Sequence, residues 1–217
     1  MGATALLRQT HLDAEWYAQA APRGMSGGTN LSLDAFVRAG DLPRVFSAGS
    51  WKDVLRADVL FSEFGVKNAI MLGSGDGYQR AESIAETGHR MAVPVDFPSG
   101  YDVSDPHLAR MIGFHELKHW ELAPSNAARL HNAGVPLAFT AHGLKDPGMF
   151  LSGVRKAVEA GLPEEVALRA LTSNPASWLG MSDLLGSLRK GSVANVLVTD
   201  GPLFEASTHV VEHYVGG

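Results

Sequence analysis

An α/β fold built on a parallel sheet is the architecture this sequence predicts, and three observations predict it. Short β-rich runs begin near residues 44, 68, 91 and 135. Each is followed by a stretch of helical character, the signature of βα units, because parallel neighbours must be joined by a crossover. From Leu168 to Phe204 the pattern changes, and a helix end runs into strand sequence without a linker.

The elements follow in order. Thr4 to Gln19 places Leu6, Leu7, Leu12, Trp16 and Tyr17 toward one helix face, and Pro22 to Asn30 is a Gly-rich loop. Asn30 or Ser32 caps a short helix over Leu33 to Ala39. Arg44 to Ala48 is the first strand, and Ser50 caps a helix that Gly65 ends. The unit repeats with Asn68 to Leu72 as strand, Gly75 to Glu86 as helix and Met91 to Val95 as strand. Asp105-Pro106 opens a helical stretch, Ser125 opens another that ends at Gly134, and Val135 to Thr140 is the fourth strand. Asp146-Pro147 caps a helix over Gly148 to Ala160. Glu164 to Leu171 carries Val166, Ala167, Ala170 and Leu171 at helical spacing, and Asn174-Pro175 reads as N-cap and N1 of a short helix that Gly180 stops. Val193 to Val198 reads as a buried strand from its β-branched content, and Asp200-Gly201 as a hairpin signal.

Composition narrows the function classes. With 45% hydrophobic and 19% charged residues, 217 residues can bury a sizeable core. A net charge of −5, with 18 Lys and Arg forming no cluster, argues against nucleic-acid binding. The absence of cysteine excludes disulfides and thiolate chemistry, so any metal would rest on His, Asp or Glu. Ala3 to Leu7, the apolar run before Arg8, is too short for a signal h-region or a membrane span. The expectation is a soluble, unexported chain, cytoplasmic by default, with no membrane partner.

Two motifs carry possible chemistry. His115-Glu116-Leu117-Lys118-His119 is a literal HExxH, which on a helix turns two imidazoles to one face for zinc with Glu beside them as base. The downstream Gly and His that would complete one such site are Leu122 and Ser125. A zinc peptidase therefore stands as an alternative, open so long as HELKH forms one continuous helix. Gly73-Ser74-Gly75-Asp76-Gly77 follows a strand and opens a helix, the context of a phosphate loop. Its third fingerprint position is Tyr78 and no Walker Lys follows, which favours an ordinary βα loop with Asp76 as a cap.

The tail supplies a resemblance. Ala167, Ala170, Thr172, Asn174-Pro175-Ala176, Leu179-Gly180, Gly186, Gly191, Ala194 and Asp200 match in order the end of the amidohydrolase superfamily. There the last barrel helix runs into a small β-sandwich. Val45-Phe46-Ser47-Ala48, Glu63-Phe64-Gly65-Val66, Leu117 to Glu121 and Ala123 to Ala127 extend the likeness to an imidazolonepropionase-like branch. Asn195 stands where the family usually has Asp, and Ser192 where Lys is common.

The resemblance implies about the last four βα units of a (β/α)₈ TIM-type barrel over residues 1–185, then a C-terminal strand segment of a composite sandwich over 186–217. A whole barrel takes about 250 residues, so part of the fold is expected to be missing. It also implies a hydrolase of non-peptide C–N bonds that acts on a small-molecule substrate with a divalent, zinc-type metal. Family ligands come from an HxH after the first strand, Lys or Glu after the fourth, His after the fifth and often the sixth, and Asp after the eighth. In this chain the fifth-strand position is Ser47, the sixth strand ends in Leu72-Gly73-Ser74, and His142 stands at the eighth. The candidate site is therefore His142 as metal ligand and catalytic group, Asp96 as catalytic or substrate-contacting carboxylate, and Ser47 as a substrate contact. Each has a plainer reading, His142 as a loop histidine and Asp96 as a turn residue before Phe97-Pro98. The corresponding alternative function is a non-catalytic, truncated or degenerate homologue. Its unpaired sheet edges and exposed inner face would drive self-association, most simply to a homodimer.

Overall fold

The computed structural model describes residues 2–25, 27–66 and 69–217. Asn68, expected to begin the second strand, lies outside them. Two helices lead, α1 (Gly2–Ala20) and α2 (Leu31–Arg38), and then strand and helix alternate as β1 (Val45–Ser47), α3 (Trp51–Glu63), β2 (Ile70–Leu72), α4 (Ala81–Glu86) and β3 (Arg90–Pro94). A longer excursion through α5 (Pro106–Met111), α6 (Phe114–Leu122) and α7 (Asn126–Asn132) leads to β4 (Leu137–Thr140). After it come α8 (Phe150–Glu159), α9 (Glu164–Leu171), α10 (Ser173–Trp178) and a strand pair, β5 (Val196–Thr199) and β6 (Val210–Tyr214).

The first four strands lie side by side in chain order, all parallel, so β1 and β4 are the outer strands. Register aligns Val45 with Ile70 and Arg90, Ser47 with Leu72 and Ala92, and Pro94 with Thr140. Because side chains alternate along a strand, this register sorts them into two faces. Met71, Met91, Val93 and Leu137 turn into the main core, with Phe46 and Phe139 packed against it. Ile70, Ala92 and Ala138 turn the other way, against Trp178 of α10.

The helices that cover the first face do so through apolar stripes. Val54, Ala57, Leu60 and Phe61 of α3 are buried, as are Val154 and Ala157 of α8 and Val166, Ala167 and Ala170 of α9. Gly153 lets α8 approach closely, since a Cβ there would sit 2.7 Å from the Val95 carbonyl oxygen. The predicted caps at Asn30, Asp105 and Asp146 all accept a hydrogen bond from the first turn they precede.

Other expectations change for physical reasons. Ser50 does not cap α3 with its hydroxyl, which donates to Asp53 Oδ2, while the Trp51 N–H donates to Asp76 Oδ1 at 2.9 Å. Gly75 to Glu86 is not one helix, because a 3₁₀ turn at Gly77–Gln79 is broken from α4 at Arg80, whose φ is −147°. Asn174 is not an N-cap. It lies inside α10, and its Nδ2 donates to the Leu137 carbonyl at 2.7 Å, tying α10 to β4. Nor is the tail strand buried: Leu197 is 50% and Val198 40% exposed, because among the described residues β5 pairs antiparallel with β6 alone and no second layer covers it. The Asp200-Gly201 hairpin is wider than expected. Asp200 closes a loop that ends at His209, accepting its N–H at 2.7 Å. Arg155 of α8 donates to the Leu203 and Thr208 carbonyls and so fastens that loop to the helical layer.

Candidate functional site

Parallel pairing in register brings all four strand C-termini to one edge, where the loops after β1, β2, β3 and β4 emerge. Ala48 N–H to Leu72 O and Gly73 N–H to Ala92 O continue the ladder to that edge. Ser47, Asp96 and His142 all stand there, exposed. Asp96 follows buried Val95, and its carboxylate lies against the backbone of the β4 loop. A Cβ at Gly143, whose φ is +91°, would be 3.4 Å from Asp96 Oδ2. His142 is the preceding residue, and its N–H donates to Thr140 Oγ1 at 3.1 Å. The fold thus brings Asp96 to the His142 loop. Ser47 is apart, three strand positions from β4 or roughly 14 Å at ordinary inter-strand spacing.

The GSGDG segment is a packed βα turn. Asp76 Oδ1 accepts from both the Trp51 N–H and the Ser74 hydroxyl. A Cβ at Gly73 would meet Met91 Cε at 2.9 Å, and the crevice beside the loop has no room for a water molecule. A phosphate has no cradle here.

HELKH does lie on one continuous helix, α6. Yet its Glu116 carboxylate accepts the Gly113 N–H at 2.8 Å and serves the helix start. His119 shares a 3.2 Å hydrogen bond with the Tyr78 hydroxyl through Nδ1, with the two rings stacked at 5.9 Å. His115 is exposed. Among the described residues, no group of three His, Asp or Glu side chains gathers as a metal would require.

Sequence reading missed the polar cluster that holds this region together. Buried Asn126 accepts the Tyr78 N–H at 2.7 Å, and Arg129 lies over the Tyr78 ring. Burial, the largest influence, pushes the Tyr78 phenol above its ordinary range, so it stays protonated. No spacing signal could have joined these groups, which come from residues 41 and 48 positions apart.

The family model for the amidohydrolase family matches residues 124–216, from the end of α6 through β6. Among solved structures, an amidohydrolase from Thermotoga maritima MSB8 superposes on 100% of this chain and 55% of its own, with a TM-score of 0.76 and 24% identity. A molinate hydrolase aligns over 83% of this chain and 43% of its own (TM-score 0.52, 22% identity). A Xaa-Pro dipeptidase with methionine bound in its active site aligns over 78% and 42% (TM-score 0.56, 18% identity). At these identities the likeness is one of fold, and the chain spans about half the length of these three structures. No curated protein matches it in sequence.

Set beside the amidohydrolase ligand pattern, the donor set does not fit a catalytic divalent metal. Of the three positions that the resemblance assigns to this chain, Ser47 and the Leu72-Gly73 turn offer no ligand side chain, and His142 brings one imidazole. Asp96 adds one carboxylate beside it, which is short of the three protein ligands a catalytic zinc takes.

Proposed function

We propose that this chain is the C-terminal half of an amidohydrolase-type (β/α) barrel, residues 1–185, carrying the strand tail of a composite sandwich, residues 186–217. By this reading it is part of a hydrolase of non-peptide C–N bonds. The observation that carries the reading is the four-stranded parallel sheet, in which β1 and β4 each lack a neighbour on one side among the described residues. Its C-terminal edge is where barrel enzymes assemble their sites from several strand ends. At a completed mouth, His142 presents an imidazole, and Asp96, close to Gly143, presents a carboxylate to substrate. Ser47 faces the same edge from β1. The remaining metal ligands must come from strands other than these four, so the chain alone is not expected to hydrolyse amides.

A second reading, a non-catalytic homologue that covers its open face with another copy, draws on the same sheet. Val45 on outer strand β1 is 63% exposed on the face opposite the main core. Purified chain should sediment as a species heavier than monomer at micromolar concentration, and Val45→Lys should shift it toward monomer. It should carry well under one zinc per chain and leave N-acyl and cyclic amide substrates intact. One tightly held zinc per chain together with amide hydrolysis would overturn the claim that the site is incomplete. A stable monomer would overturn self-association.

A further inference from the structure

A second cleft lies at the other end of the strands. It encloses about 750 Å³ and is lined by Gly40 to Arg44 before β1, Phe64 to Val66 before β2, Arg90 at the start of β3, and Ser177 to Gly180 at the end of α10. That volume is in the range of small-molecule sites. The N-terminal edge of this sheet is the end the amidohydrolase reading leaves unused.

Two half-buried arginines give the cleft its chemistry. Arg44 and Arg90 both line it, and among the described residues neither guanidinium pairs with a carboxylate. Asp41, the one acidic residue on the lining, bonds neither. Arg90 instead lies over the Trp178 ring, 5.9 Å from its centroid, and buried Trp178 holds it in place from below. Arg44 keeps its field as well. Burial first and the Arg44 charge second hold neighbouring His11 below the ordinary histidine range. A partly desolvated cation without a partner is costly, and a guanidinium presents a planar fork of donors that matches an oxyanion.

We propose that this cleft binds a small oxyanion, the phosphate or carboxylate group of a metabolite-sized ligand, between Arg44 and Arg90 with Trp178 as the platform beneath. The inference rests on the cleft and not on the hydrolase reading.

Isothermal titration of the full chain with inorganic phosphate, and separately with succinate, tests it, with chloride used to keep ionic strength constant. Binding of either anion is expected, and which one binds distinguishes a phosphate from a dicarboxylate ligand. Arg44→Gln and Arg90→Gln should each weaken it at least fivefold, and the double variant should abolish it. Lys145→Gln, the same charge change in the loop after β4, should leave it unaltered. If Arg90→Gln fails to fold, Arg90→Lys keeps the charge without the fork and should still bind several-fold more weakly. Absence of heat with both anions, or equal affinity in Arg90→Lys or the double variant, would overturn the proposal.

Discussion

The two faces of the four-stranded sheet are solved differently. On one, Met71 is fully buried and Met91, Val93 and Leu137 are each 2% exposed, under α3, α7, α8 and α9. On the other, Ile70 and Ala138 are covered by Trp178 of α10, while Val45 on β1 stands open. The first face behaves as an ordinary α/β layer, in which apolar strands meet helix stripes. The second is a mixed surface, with one large side chain laid across Ile70 and Ala138. The difference teaches that, among the described residues, this chain packs one sheet face closely and leaves much of the other open.

Truncation on each face should separate them. Met71→Ala, on the closed face, is expected to cost about 4 kcal/mol, because the methylenes leave a cavity that packed helices cannot fill. Denaturant unfolding followed by circular dichroism measures it. Trp178→Ala should cost somewhat less, about 3 kcal/mol, since its site opens toward a cleft and can relax. It should also increase self-association in sedimentation, by baring Ile70 and Ala138. Equal costs with no change in association would erase the distinction between the faces. Asn174→Ala is expected to cost about 1 to 2 kcal/mol, because the Leu137 carbonyl loses its donor at a partly buried point. Asn174→Asp should be no better, since a carboxylate cannot donate.

Much of the closed face was legible in the sequence, and the reason is locality. Strand runs, the order of βα units and the caps at Asn30, Asp105 and Asp146 are all written within a few residues of where they act. Contacts that cross the fold were not. The Trp51 N–H takes its acceptor from Asp76, and Asn174 finds the Leu137 carbonyl, because tertiary packing chose partners that propensity cannot name. Val193 to Val198 misled for a related reason, since β-branched content says that a strand forms but not whether a layer will cover it. At the strand edge, counting units located Asp96 and His142 on neighbouring loops. The approach of Asp96 to Gly143 needed the β3–β4 register. The arginine cleft was invisible to motif reading, because its lining comes from four separate segments.

The smallest effect probes the closed side from its margin. His11 of α1 stacks on Phe64 at 4.4 Å and meets Phe36 edge-on at 5.0 Å, and Phe64 in turn packs against the main core. Burial disfavours its charged form, so its folded pKa lies below the unfolded value of 6.5. Between the two pKa values the unfolded chain binds more protons than the folded one, and stability therefore rises with pH. The contribution is present above pH 6.5 and is lost as pH falls through the folded pKa. Thermal melts from pH 5 to 8 should show a midpoint that drops by a few degrees on the acid side, and His11→Phe should flatten that slope relative to the parent. Because His11 packs against Phe36 and Phe64 and not against Ile70 or Ala138, sedimentation should not change with its substitution at either pH. A pH slope that survives His11→Phe would place the titrating group elsewhere, and a change in association would mean that the two faces are coupled.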